Sequence, residues 1–288
     1  MNFTIEFVET MDSNLKSDLN FFKEFRDWYF KIINEFNFDY KEDYRARDYL
    51  SDILQSKTIG YDLEQVLLSF KHLIERKPNL LIYGCGPSLE ETVKYLLNQK
   101  GHEISKQCIN LAADGASVLL REKCIPIDVI FTDLDGITKD EFNYSNFNVV
   151  HAHGDNISKL QFFEQDIIQF ENVIGTTQVE PYGDVINPGG FTDGDRILYF
   201  IRILTNPSQK IFLIGMDFNN ITGKYSKLDM NNNQKSQADK KKKLDYAIKL
   251  VEWIYPKMRN EIFFVNCKNQ FNNFNYISLE EFMKVMHT

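Results

Sequence analysis

The chain is poor in the residues that staple a fold or anchor it to a membrane. Its four cysteines, Cys85, Cys108, Cys124 and Cys267, form no CxxC pair and have no histidine nearby at zinc-ligand spacing. That excludes a disulfide framework and a structural zinc site. Buried free thiols in a reducing compartment are expected instead. No apolar run approaches the ~18–20 residues of a membrane helix. Met1–Glu6 lacks the basic stretch and apolar core of a signal peptide. A soluble, cytoplasmic protein with no membrane partner is the expectation. Basic residues are outnumbered, 33 Lys and Arg against 41 Asp and Glu, for a net charge of -8. The basic stripe that a nucleic-acid surface needs is missing. There is also no Ser-x-Gly elbow, and no cysteine with an obvious base. Without a nucleophile, the chemistry points to metal-assisted phosphoryl transfer, which needs positioning and charge neutralisation more than a covalent intermediate.

Glycine is absent before Gly60 and proline before Pro78. Residues 1–77 accordingly read as a helical region. Met11 to Phe36 carries Leu15, Leu19, Phe22, Phe25, Trp28, Ile32, Ile33 and Phe36 at helical spacing, with Asp12 or Ser13 as the cap. Asp43–Leu54 and Asp62–Ile74 are two further amphipathic patterns. This layer leans either on the rest of the chain or on another subunit, which would make a homo-oligomer.

From residue 78 to 288 the pattern is that of an α/β domain. Apolar strands are predicted at Asn79–Tyr83, Cys108–Ala112, Ile125–Phe131, Val149–Ala152, Asn172–Ile174, Ile211–Ile214 and Glu261–Val265, most of them followed by helical segments. Alternation of this kind predicts a mostly parallel, Rossmann-like sheet with helices on both faces. Asn219–Gln237 is Asn-rich and reads as a long loop, a lid or a disordered segment. Behind it, Ala238–Met258 is a helix opened by Lys240-Lys241-Lys242-Lys243. Those lysines form a solvated basic turn, or one or two of them reach triphosphate oxygens.

Nearly every strand runs into a short loop with glycine and a polar or acidic residue, and the repeated acids Asp114, Asp133, Asp135, Asp155 and Asp217 are expected to converge on one rim. Acids so placed repel unless a cation or shared proton offsets them. Asp133 and Asp135 are one residue apart, and in an extended backbone both would face one spot. Such oxygens suit Mg²⁺; the alternative is a turn with two solvated acids. Gly84-x-Gly86-Pro87-Ser88 lies between a strand and a helix, with capping-box spacing from Ser88 to Glu91. It is not a Walker A loop, because no Gly-Lys-Ser/Thr follows. It is either a nucleotide or phosphate turn or a tight β–α connection. His151 and His153 have a spacing that could hold a transition metal; His153 is better suited to hydrogen bonding with a ligand. In Asn187-Pro188-Gly189-Gly190-Phe191-Thr192-Asp193-Gly194-Asp195-Arg196, Thr192 or Asp193 can cap the next helix. That loop either serves only as a cap or binds substrate, with Phe191 stacking on a flat ring, an Asp accepting paired N–H groups and Arg196 meeting phosphate.

Taken in order, Gly84–Leu89, Ala112–Ala116, Phe131–Gly136, His151–Asn156, Thr176–Gln178 and Asn187–Arg196 resemble the archaeal-type 6-hydroxymethyl-7,8-dihydropterin pyrophosphokinases. That family is related in fold to the thiamine pyrophosphokinases. The resemblance implies transfer of the diphosphoryl group of ATP to a reduced pterin, with Mg²⁺ as cofactor. It implies Asp133 and Asp135 as metal ligands, with Asp114 and Asp155 completing the acidic cluster, and Asp133, Asp135 and Asp155 as the catalytic acids. Gly84, Gly86, Pro87, Ser88, Asp114 and Gly115 would line the ATP site. His153, Asn156, Thr177, Gln178, Asn187, Gly189, Gly190, Phe191, Thr192, Asp193, Asp195 and Arg196 would shape the pterin side. Two departures leave alternatives. The metal turn reads Thr-Asp-Leu-Asp-Gly, and the chain has no β-rich C-terminal part of the thiamine type. The Gly-x-Gly-Pro-Ser turn also resembles that of sialyltransferase-like and flagellin-modifying proteins, so a nucleotide-sugar glycosyltransferase is the second reading.

Overall fold

A computed structural model of the chain describes residues 14–57, 60–99, 101–219, 221–267, 271 and 273–286. Four helices come first: α1 (Leu15–Leu19), α2 (Phe22–Phe36), α3 (Tyr40–Gln55) and α4 (Leu63–Glu75). Then strands and helices alternate: β1 (Asn79–Tyr83), α5 (Leu89–Asn98), α6 (Gly101–Gln107), β2 (Ile109–Ala113), α7 (Ala116–Glu122), β3 (Val129–Thr132), α8 (Lys139–Phe142), β4 (Phe147–Ala152), α9 (Ile157–Gln169) and β5 (Val173–Thr177). The remainder is β6 (Val185–Ile186), α10 (Asp193–Ile201), β7 (Lys210–Ile214), β8 (Ile221–Thr222), β9 (Gln234–Lys235), α11 (Ala238–Ile254), β10 (Glu261–Val265), β11 (Asn275–Ile277) and α12 (Leu279–Met286).

Nine strands form one sheet in the order β11-β10-β7-β1-β2-β3-β4-β5-β6. Every pairing in it is parallel. Alternate strand residues serve opposite faces, as the pleat requires. Leu80 and Ile82 enter one core with α1, α2, α4, α10 and α11, whereas Leu81 and Tyr83 enter another with α5, α7 and α12. A third core joins α3, α8 and α9 to β4 and β5. The N-terminal helices are therefore part of the packing of the sheet: Phe25, Leu67 and Phe70 are buried in the same cluster as Leu80 and Phe131.

Several local expectations are revised. The described part of the segment expected as one helix from Met11 to Phe36 forms two, because Asn20 and Phe21 turn aside to meet Asn187: the Phe21 N–H donates to the Asn187 carbonyl at 2.6 Å, and Asn20 Oδ1 accepts the Asn187 N–H at 2.9 Å. The expected caps Asp12 and Ser13 lie outside the described residues, and Asn14 caps α1 through the Ser17 N–H. β3 begins only at Val129, since Pro126 has no N–H to give a ladder. β5 runs on to Thr177. Asn219–Gln237 contains the antiparallel pair β8–β9 and is not one open loop.

Lys57 follows α3 and joins it to the end of α9. Its Nζ donates to the carbonyls of Ile167, Ile168 and Phe170 at 2.7, 3.2 and 2.6 Å, satisfying the C-terminus of α9. Lys57→Met should cost about 1–3 kcal/mol of stability, read as a lower urea midpoint with the slope unchanged. An unchanged midpoint would mean that water replaces the ammonium at no cost.

Candidate active site

The strand order reverses at β1. From there β2 to β6 extend to one side and β7, β10 and β11 to the other. In open parallel sheets ligands bind in the crevice at such a switch point, past the carboxyl ends of the strands. Here the turns after β1 and β7 interlock. The Gly84 N–H donates to the Ile214 carbonyl at 2.8 Å, and the Gly86 N–H to the Gly215 carbonyl at 2.7 Å. A Cβ on Gly86 would collide with the Asp217 carboxylate and the Gly215 carbonyl. Part of the need for glycine is thus the approach of one turn to the other. Ser88 does not use its capping-box spacing: its N–H and hydroxyl both donate to Asp217 Oδ2, at 3.0 and 2.8 Å, and α5 has no side-chain cap. Gly84, Cys85, Gly86 and Pro87 line the crevice, and Ser88 is buried behind them.

The crevice opens into a cavity of about 770 Å³. On its floor, carboxylate oxygens of Asp114, Asp133 and Asp193 lie within 4.8 Å of one another. Asp114 ends β2 at a φ of 45° and accepts from the Thr132 hydroxyl at 2.6 Å. Thr132 Oγ1 in turn accepts the Leu134 N–H at 2.7 Å, which ties the two turns together. The backbone from Asp133 to Asp135 is not extended. Leu134 has a φ of 72° and buries its side chain in the core, while Asp133 and Asp135 both face the cavity. The Asp135 N–H donates to Asp133 Oδ1 at 3.3 Å.

Asp133 is held from the next strand as well. His153 Nε2 lies 3.2 Å from Asp133 Oδ2, and His153 Nδ1 accepts the Asp155 N–H at 3.3 Å. With Nδ1 accepting, Nε2 carries the proton and donates to Asp133. Asn156 donates to the carbonyls of Asp133 and His151 at 2.8 and 2.7 Å, and its Oδ1 accepts the His153 N–H at 3.0 Å. Asp155 lines the same cavity beside His153 and lies outside the carboxylate cluster.

Asp193 comes from the first turn of α10, where Thr192 and Asp195 make a capping box. Asp195 accepts the N–H groups of Phe191 and Thr192, each at 2.7 Å, and the Thr192 hydroxyl, so it supports the loop from below. Asn187 likewise works within the loop, donating to the Val179 carbonyl at 2.8 Å and accepting the Gly189 N–H at 2.9 Å. Gly189 and Gly190 both have a φ of 91°, a conformation open to glycine. Thr177 is buried in β5. Of this loop, Phe191, Thr192, Asp193, Gly194 and Arg196 reach the cavity.

Other lining residues were not singled out from the sequence. Phe38, Asp39, Glu42 and Asp43 come from the N-terminal helices. Asp43 is buried and accepts from Tyr29 at 2.9 Å, from Gln178 at 2.8 Å and from the Gly154 N–H at 2.8 Å, so α3 braces the ends of β4 and β5. Lys227, Lys235, Lys240 and Lys243 also line the cavity. The lysine run therefore divides: Lys242 pairs with Glu35 at 2.8 Å, outside it. The β8–β9 hairpin covers the first two strand-end turns. Gly223 packs on Cys85, the Tyr225 carbonyl packs on Gly115, and Lys224 bonds Glu90 at 2.8 Å.

Burial and the charges of Asp133 and Asp193 push Asp114 well above the ordinary carboxylate value. Burial and Asp133 push Asp193 up to about 7, against the pull of Arg196. Asp133 goes the other way. Burial would raise it, but the His153 hydrogen bond and the charge of Arg196 hold it well below the usual range. One ionised carboxylate with two reluctant neighbours is a hard-oxygen set that a divalent cation would relieve. In donor type it fits Mg²⁺.

A parallel α/β sheet with acids and lysines lining one cavity at its switch point is the ligand-binding architecture of an open α/β protein. The profile of the 6-hydroxymethylpterin diphosphokinase MptE-like family matches residues 57–223, and the chain belongs to that family. Three similar relatives carry the name 6-hydroxymethyl-7,8-dihydropterin pyrophosphokinase. The one from Pyrococcus furiosus is 38% identical over 83% of this chain and 96% of its own length. Those from Methanocaldococcus jannaschii and Methanothermobacter thermautotrophicus are 34% and 33% identical over 83% and 79% of this chain, and 98% and 92% of theirs. Among solved structures, the MAf glycosyltransferase of Magnetospirillum magneticum is 12% identical with a TM-score of 0.45, covering 77% of this chain and 39% of its own. That likeness is too distant to bear on function.

Two outcomes are expected from this geometry. Asp193 holds its proton more tightly in the folded protein, up to about pH 7, than the unfolded chain does near the ordinary carboxylate value of 3.8. The stability from this source is therefore full below about pH 4 and lost as pH rises to about 7. In chelator, the melting temperature should fall across that window. Asp193→Asn should flatten the slope, and Mg²⁺ should reverse it; a profile flat in chelator would refute the clustered charge. The second outcome concerns the hairpin. A Cβ on Gly223 would collide with the Cys85 carbonyl. Gly223→Ala should thus expose Lys227–Lys235 to trypsin while the melting temperature stays nearly constant. Unchanged cleavage would show that the hairpin is not held by this contact.

Proposed function

We propose that this protein transfers the diphosphoryl group of ATP to the hydroxymethyl oxygen of 6-hydroxymethyl-7,8-dihydropterin, giving AMP and the pterin diphosphate. The observation that carries the reading is the Asp114–Asp133–Asp193 cluster, faced by Lys227, Lys235, Lys240 and Lys243 across one cavity. A volume of about 770 Å³ is within the usual range for small-molecule sites and has room for both substrates. Family membership supports the same chemistry. We assign residues 78–288 as the catalytic part and residues 1–77 as an N-terminal helical part, from which Phe38, Asp39, Glu42 and Asp43 close one wall.

Asp114, Asp133 and Asp193 would hold Mg²⁺, with Asp135 and Asp155 positioning its water. When bound there, the ion neutralises and orients phosphate oxygens. The remaining work falls to the chain. The four lysines offset the triphosphate charge, and Gly84 to Pro87 let the nucleotide lie close to the backbone. Phe38 and Phe191 offer faces for the pterin ring. Gln178, held by Asp43, presents a polar edge beside it. His153 keeps Asp133 ionised and aimed at the cavity. The hydroxymethyl oxygen then attacks the β-phosphorus in line with the departing AMP, and its proton passes to a cavity carboxylate or to water. An ATP-consuming reaction and four free cysteines suit the reducing cytoplasm.

Purified protein with Mg²⁺ and ATP should release AMP in step with pterin diphosphate. Asp133→Asn and Asp193→Asn should each lower turnover by about 10²-fold or more. The proposal is overturned if AMP forms with thiamine instead, or if the protein turns over only CMP- or UDP-sugars. Full turnover in both variants would remove the metal assignment.

A further inference from the structure

A second, much smaller void of about 10 Å³ is lined by residues of β3, β4, β5 and α10. It is bounded by Thr132, His151, Thr176, Gly189, Asp193 and Arg196 among others. That volume is about one water. Two buried nitrogens beside it, His151 Nε2 and Arg196 Nε, have no hydrogen-bond partner among the described residues. His151 is 3% and Arg196 7% exposed, so bulk water does not satisfy them. Each orphaned polar atom would cost about 1–3 kcal/mol, too much to leave unmet on two residues that line one void.

The chemistry of the occupant follows from the hydrogen bonds around it. The Thr176 hydroxyl donates to the Val150 carbonyl at 3.2 Å, so its oxygen is left to accept from His151 Nδ1 at 3.1 Å. His151 therefore carries its proton on Nδ1 and shows a lone pair at Nε2. Burial, together with the charge of Arg196, keeps the ring neutral. Arg196 Nε–H can only donate. The occupant must accept from one side and donate to the other. A chloride would meet the lone pair of His151 unfavourably, and a cation would meet Arg196; a water satisfies both.

We infer that a single buried water bridges Arg196 Nε to His151 Nε2, making His151 a positioning residue for the Arg196–Asp193 pair. Arg196 Nη1 lies 3.3 Å from Asp193 Oδ1. With Nε fixed from behind, the guanidinium cannot turn away, and Asp193 is kept aimed at Asp114 and Asp133. The water and the tautomer stand independently of the proposed diphosphotransfer. Only the metal-binding consequence rests on that reading.

The test has three parts on the full chain. High-resolution crystallography should show one water within hydrogen-bond distance of both nitrogens; an empty void, or Arg196 Nε bonded directly to protein, overturns the proposal. Nitrogen-15 NMR of metal-free protein should show His151 as the Nδ1–H tautomer, and the opposite tautomer overturns it. His151→Asn keeps a donor for Thr176 but loses the acceptor for the water, whereas His151→Gln places an acceptor near the position of Nε2. Calorimetric titration with Mn²⁺ alone should show binding about tenfold weaker in His151→Asn, with most of the loss recovered in His151→Gln. Equal affinity in the two variants would show that Nε2 positions nothing.

Discussion

The rest of the structure depends on keeping like charges together. Three carboxylates within 4.8 Å would each repel the next by about 3–4 kcal/mol at an effective dielectric of ~20. Summed over three pairs this approaches the whole stability of a domain. The protein answers with asymmetry. Asp133 takes the hydrogen bond from His153 and stays ionised, whereas Asp114 and Asp193 are pushed toward protonation. The parts that hold them are rigid: strand ends, a capped helix start, and the Thr132 hydroxyl shared between two turns. A cation suited to oxygen would turn this repulsion into binding energy.

The same cluster accounts for features that look unrelated to it. Asn156 and His153 brace Asp133 from β4, and Asp43 on α3 braces Gly154 and Gln178. A helix far away in sequence thereby sets the position of turns at the cavity rim. The lysines of the hairpin and of α11 line the same cavity as the acids, so one cavity presents charges of both signs. Such a cavity has cations for phosphate and carboxylate oxygens suited to a hard cation.

Much of this was legible in the sequence. Apolar runs of four to six residues ending in glycine and an acid marked most of the long strands and the rim where they end. The elements that escaped are short. β6, β8 and β9 have two residues each, too few for any periodicity. Asp193 and Asp195 are nearly indistinguishable by composition, yet one faces the cavity and the other is consumed as a cap. The Thr192-x-x-Asp195 spacing carried that information. Asp43 had no such signal, because Gly154 and Gln178, the cavity-side partners it braces, lie more than a hundred residues away.

Two capping boxes show where sequence stops. Thr192 with Asp195, and Ser88 with Glu91, have the same spacing. The first forms as written; the second does not, because Asp217 reaches across from β7 and takes both Ser88 donors. By itself the sequence determined the strand–helix alternation, the glycine turns and the acids at strand ends, since these follow from local periodicity and backbone sterics. Only the tertiary structure decided which acids meet, which lysines turn inward and that the N-terminal helices wall the cavity. Those outcomes depend on competition between partners brought together by the sheet, and a buried hydrogen-bond donor is claimed by whichever acceptor the fold places nearest.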